Sequence, residues 1–104
     1  MSAILVYITV PTAEEGEAIA RFLLEQRLIA CANLMPSIKS LYWWEGKIDQ
    51  SEEVVVIAKT RAPLFDKVKA AVCEKHSYEC PCIVALPIAD GHAPFLAWIA
   101  EETQ

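Results

Sequence analysis

The sequence predicts an α+β sandwich in which strands and helices follow one another as β-α-β-β-α-β, with an extra helix at the C-terminus. Three observations predict it. Runs rich in β-branched residues (AILVYITV, EVVVIAKT, IVALPI) alternate with stretches whose apolar residues recur at helical spacing. Thr12, Pro63 and Pro94 stand where helices should begin. No linker, repeat or low-complexity segment divides residues 1–104, a length suited to one hydrophobic core and hence to one domain.

Each element has its own signal. Ala3 to Val10 reads as the first strand. Thr12, followed three residues later by Glu15, is a capping-box signature for a helix over Ala13 to Gln26, with Ile19, Phe22 and Leu23 on its apolar stripe. The second strand region runs from Ala30 to Ile48 and is interrupted at Pro36, which lacks the N–H a ladder needs and so predicts a bulge or bend. Gly46, Asp49, Gln50 and Ser51 predict a turn into a third strand, Glu53 to Thr60. Pro63 suits a first helical position, and Leu64, Val68, Ala71 and Val72 mark the buried side of the second helix. Ser77 to Pro81 is a connection, Ile83 to Ile88 the fourth strand, and Asp90-Gly91 its end. The last helix opens at Pro94, with Leu96, Trp98 and Ile99 as its apolar positions. This order is the split βαβ, or ferredoxin-like, pattern, with both long helices on one face of an antiparallel sheet.

The other face of such a sheet normally meets water and shows polar alternation. Here the strands are nearly continuous apolar runs. Between Cys31 and Lys47 the excess is greatest: Ile38, Ser40, Tyr42 and Trp44 alternate with Lys39, Leu41, Trp43 and Glu45, so both faces carry large apolar groups. Burying one such side chain is worth about 1.5–3 kcal/mol, so several per chain predict self-association through the open face and the overlong strand.

Composition narrows the function classes. Fourteen acidic against nine basic residues give a net charge of −5, which argues against nucleic acid, whose binding needs clustered Lys and Arg. Charged residues or Pro interrupt every apolar run before it reaches membrane-span length, and the N-terminus lacks the basic region of a secretory signal, so a cytoplasmic protein is expected. The four cysteines, Cys31, Cys73, Cys80 and Cys82, are expected to be reduced, and they form no C-x-x-C pair. No enzyme activity is expected. There is no P-loop, dinucleotide fingerprint or Ser-His-Asp order, and the loop after the first strand, Pro11 to Glu15, is acidic and repels phosphate.

Several segments resemble the CutA divalent-cation tolerance proteins. They are Ala30-Cys31-Ala32-Asn33, Tyr42-Trp43-Trp44-Glu45-Gly46-Lys47, Glu53-Val54 with Lys59-Thr60, His76-Ser77-Tyr78-Glu79-Cys80-Pro81, Ala85-Leu86-Pro87-Ile88 and Trp98-Ile99. The resemblance implies a homotrimer of ferredoxin-like subunits whose long second strands pair across subunit boundaries, like PII-type signalling proteins in architecture. It also implies a role in tolerance to copper and other divalent cations, and no organic cofactor. In the family pattern copper ligands are a first-strand Cys and two adjacent His; this chain has Ile8 and Lys75 at two of those positions and keeps only His76.

Two candidate sites follow. His76, Cys80 and Cys82 form a soft-metal set, because thiolates suit Cu(I) and Zn(II) and residues two apart on a strand share a face. The alternative is that both cysteines pack as small apolar groups. The second candidate is an intersubunit cleft drawing on Tyr42, Trp44, Lys59, Tyr78 and Trp98, with interface packing of the aromatics as its alternative. His92, at the start of the last helix, reads as a surface residue.

Overall fold

The structure is a computed structural model and describes residues 2–104. Strand β1 (Ala3–Val10) leads into helix α1 (Ala13–Glu25). The two longest strands follow, β2 (Cys31–Trp44) and β3 (Lys47–Arg61). A single 3-10 turn at Ala62–Leu64 then precedes α2 (Phe65–Lys75), β4 (Ile83–Pro87) and α3 (Ala93–Glu102). The sheet order is β2-β3-β1-β4 with every neighbouring pair antiparallel, which is the ferredoxin-like arrangement with one added helix.

Alternation along the central strands builds the core. Ile4, Val6, Ile8 and Val10 of β1 lie beside Val54, Val56 and Ala58 of β3. Ile19 and Leu23 of α1 and Val68 and Val72 of α2 cover them, all buried. Helix α1 presses hard on the sheet at Gly16, where an added Cβ would meet Val10 Cγ2 at 3.0 Å and Val56 Cγ2 at 3.2 Å. Only a residue without a side chain allows that approach.

Helix α3 makes a smaller cluster with Ala3, Ala30 and Ile99. Of its expected apolar positions only Ile99 is fully buried; Trp98 stays partly exposed, stacked on Phe95 at 5.5 Å. Its end is fastened by hydrogen bonds. Arg61 Nε donates to Thr103 Oγ1 at 2.9 Å, and Arg27 Nη1 donates to Glu102 Oε1 at 2.8 Å.

The expected break at Pro36 is a bulge. The β2–β3 register shifts between Met35 and Ile38, and Ser37 there has φ 60°. Beyond it the two strands continue as a ribbon, residues 38–53, here called the arm. Six steps of ~3.3 Å carry it about 20 Å from Ile38 to Trp44, which explains a longest dimension of 44 Å against 26 and 22 Å.

One expectation fails at the arm's tip. Asp49, Gln50 and Ser51 are not turn residues; they pair with Tyr42, Leu41 and Ser40, and β3 begins at Lys47. The turn is Glu45-Gly46 alone, with φ 50° and 80°. Two successive left-handed residues make the primed hairpin turn whose twist matches the strands. Asp49 then falls opposite Tyr42, Gln50 opposite Leu41 and Ser51 opposite Ser40, and cross-strand pairing outweighs their low strand propensity.

Candidate functional site

The segment from His76 to Cys82 leaves α2 on the helix side of the sheet, rounds the C-terminal end of β1 and reaches the open face. Its first residue holds it there. The His76 side chain is fully buried. Its Nε2 lies 2.8 Å from the Thr9 carbonyl, and its Nδ1 accepts from the Tyr78 N–H at 3.0 Å. A carbonyl only accepts and a peptide N–H only donates, so these partners fix the neutral imidazole with its proton on Nε2. Glu15 Oε2 also comes within 3.4 Å of Nδ1. That contact is not an ion pair in this tautomer, because Nδ1 has no proton to give and the same carboxylate oxygen already accepts from the Ser77 N–H at 2.8 Å and the Ser77 hydroxyl at 3.0 Å.

The capping box is thereby half realised. Thr12 Oγ1 accepts from the Glu15 N–H at 3.1 Å as expected, whereas the Glu15 carboxylate turns away from its own helix to hold the turn.

On the open face Tyr78 donates from its hydroxyl to Glu53 Oε2 at 2.9 Å, and its ring lies 4.7 Å from that of His76. Glu53 is only 8% exposed and stands opposite Ile38, at the root of the arm. Burial, then the hydrogen bond to Glu53, then the charge of Glu53 with Tyr42 and Glu15 nearby push the Tyr78 phenol up to about 12 from its ordinary 10. Cys82 lies beside Thr9 and Glu53; burial raises its thiol pKa, the hydrogen bond to Thr9 lowers it, and the charge of Glu53 raises it.

The proposed metal set does not assemble. Cys80 and Cys82 precede β4, which begins at Ile83, so the strand alternation expected to pair them does not apply. Cys80 and Cys82 are both exposed, with free thiols. His76 has no lone pair left to offer. Among the described residues, no three His, Cys, Asp or Glu side chains are placed to hold one ion. The residues therefore do not fit a three-ligand copper centre within one subunit.

The aromatic set is divided as well. Tyr42 lies near Tyr78, with its hydroxyl 3.2 Å from Ser51 Oγ, and Trp44 is at the arm's tip. Lys59 stands six residues beyond Glu53 along β3, where it donates to Asn33 Oδ1 at 2.7 Å. Trp98 is on α3, which packs at the Ala3–Arg61 end of the sheet. Within one subunit Tyr42 and Tyr78 converge, and Lys59 and Trp98 do not join them.

Concavities lie elsewhere. One of about 190 Å³ is lined by Glu15, Ala18, Ile19, Phe22 and Lys75, with the Lys75 ammonium 4.5 Å from the Phe22 ring centroid. Another, of about 410 Å³, sits at the arm's tip against Trp44, Lys47 and Ile48. The exposed apolar surface is concentrated on the arm. Leu41, Trp43 and Ile48 on one side are 65%, 73% and 67% exposed, and Trp44 on the other is 58% exposed.

Sequence reasoning missed Glu15 and Glu53 as the two anchors of the turn. Glu53 had a signal: it is an acidic residue opening an otherwise apolar strand. Glu15 had none, because its capping role accounted for it.

The class the structure defines is a ferredoxin-like sandwich that carries a long ribbon with exposed apolar side chains. Comparison with known proteins makes the class specific. Residues 4–102 match the CutA1 divalent ion tolerance protein family, and the chain belongs to it. It is 50% identical over 99 residues to the divalent-cation tolerance protein CutA of Archaeoglobus fulgidus, covering 95% of this chain and 96% of that protein. The crystal structure of CutA1 from Oryza sativa superposes with a TM-score of 0.97 at 39% identity, covering 100% of this chain and 95% of that one. The Archaeoglobus fulgidus structure, described as a periplasmic divalent cation tolerance protein, superposes with a TM-score of 0.95 at 48% identity, covering 98% and 99%.

Proposed function

We propose that this chain is the subunit of a cytoplasmic homotrimer that serves divalent-cation tolerance by assembly and binding rather than by catalysis, its ligands taken at clefts between subunits. One observation carries this reading. The arm presents Leu41, Trp43 and Ile48 on one side and Tyr42 and Trp44 on the other, all left exposed by the described residues. A monomer holding that much contiguous apolar surface in water would aggregate, and a second copy with a matching open sheet face is a partner of suitable chemistry. Val84, Leu86 and Met35, all exposed on that face, supply the complementary surface.

A second reading rests on the thiols. Cys80 and Cys82, two residues apart on one turn, are soft donors suited to Cu(I) or Zn(II), and ligands from a neighbouring subunit would complete their coordination. His76 takes no part in either reading, since metal at Nδ1 would displace the bond from the Tyr78 N–H and metal at Nε2 the bond to the Thr9 carbonyl.

Light scattering of the reduced protein at micromolar concentration is expected to give about three times the 11.6 kDa subunit mass. Trp43→Asp is expected to give a folded monomer. A wild-type monomer would overturn the assembly reading. Titration of the metal-free protein with Cu(I), Cu(II) and Zn(II), followed by the ring-nitrogen signals of His76, is expected to leave those signals in place. Their shift on stoichiometric loading would restore His76 as a ligand.

A further inference from the structure

The arm joins the body through both strands, but their pairing is irregular at its root. On the β2 side the bulge at Pro36-Ser37 interrupts the ladder: Pro36 has no N–H to give, and Ser37 sits in the left-handed region. A two-stranded ribbon leaving a sheet at such a point is free to bend about it. Among the described residues, the Tyr78 hydroxyl on Glu53 is the sole side-chain hydrogen bond or ion pair between residues 38–53 and the rest of the molecule.

The donor of that bond stands on a fixed support. His76 ties the turn to the end of β1 through Thr9, Glu15 ties it to the first turn of α1 through Ser77, and the Tyr78 N–H is itself held by His76 Nδ1. Its acceptor is the first residue on the β3 side of the arm, opposite Ile38, the first after the bulge.

From this geometry we infer that Tyr78 is a positioning residue for the arm: its hydroxyl, held on Glu53, stops the ribbon pivoting at the bulge and so fixes the angle at which the arm meets a second copy of the chain. A hydrogen bond to a charged acceptor is among the stronger ones, and its acceptor here is almost buried, so water substitutes poorly for the lost donor. The partner in this inference is the neighbouring subunit of the assembly proposed above, and in that respect it rests on that reading. The latch itself is a property of one subunit.

Hydrogen exchange of the arm amides, read alongside subunit exchange between labelled and unlabelled protein, tests it. Tyr78→Phe keeps the ring on His76 and removes only the hydroxyl. It is expected to speed exchange of the amides of Leu41 to Trp44 and Ile48 to Ser51, and the rate of subunit exchange, by on the order of tenfold. Core amides of β1 should be unchanged. Glu53→Gln keeps a carbonyl acceptor and should stay within about threefold of wild type, while Glu53→Val should match Tyr78→Phe, the two together adding nothing further. Arm exchange unaltered in Tyr78→Phe would overturn the inference, as would additive effects in the double variant. A wild type found to be monomeric would refute the assembly reading alone, because arm exchange still reports the latch.

Discussion

The body and the arm are built from the same two strands, yet they reach opposite outcomes. From Val54 to Thr60, β3 lies between β1 and β2 under two helices, and Val56, Ala58 and Thr60 are wholly buried. From Lys47 to Glu52 the same strand pairs only with β2, and Trp43, Leu41 and Ile48 stand in the open. Both halves are paired β-strand, although β3 is polar in the arm and β-branched in the body; the other difference is the number of layers. The body closes its own core, and the arm carries apolar side chains that its own chain has no means to cover.

The sharpest way to break that comparison is to remove the same atoms from each half. Leu23→Ala opens a cavity in the body and is expected to cost about 2–5 kcal/mol in chemical denaturation. Leu41→Ala should cost the isolated subunit no more than about 0.5 kcal/mol, with its effect appearing in subunit association. Equal losses in the subunit would mean that the arm is packed within its own chain. Gly16→Ala probes how tightly the body is closed. The methyl would press on Val10 and Val56, and a loss of about 1–3 kcal/mol in the same measurement is expected.

The smallest effect lies at the joint between the two regions. The folded protein raises the Tyr78 pKa from 10 to about 12, so it favours the neutral phenol. That contribution to stability is whole below pH 10 and is lost as the pH rises from 10 through 12. Stability measured by denaturation across that window should fall less steeply for Tyr78→Phe than for wild type. Identical slopes would remove the Tyr78–Glu53 bond from any account of the joint.

Much of this was legible in the residues. Period-two and period-3.6 patterns placed every strand and helix, and Pro36 marked the bulge, because those signals act over a few residues. The turn at Glu45-Gly46 was read four residues too long. Asp49, Gln50 and Ser51 have turn composition, and only pairing with Tyr42, Leu41 and Ser40 across the ribbon draws them into a strand. The site was less legible. His76 was visible as chemistry, but the Thr9 carbonyl on its Nε2 lies 67 residues away, and residue type alone does not reveal that the Tyr78 N–H takes its Nδ1.

The sequence by itself determined the order of elements and the apolar excess of the second strand. Those follow from side-chain periodicity and the transfer of apolar groups from water, which depend on residue type and spacing alone. Tertiary structure decided the rest: that the arm projects beyond the helices, that Glu15 and Glu53 anchor the turn from opposite faces of the sheet, and that both ring nitrogens of His76 are hydrogen-bonded. Hydrogen bonds act over about 3 Å, and only the folded chain determines which distant groups come that close.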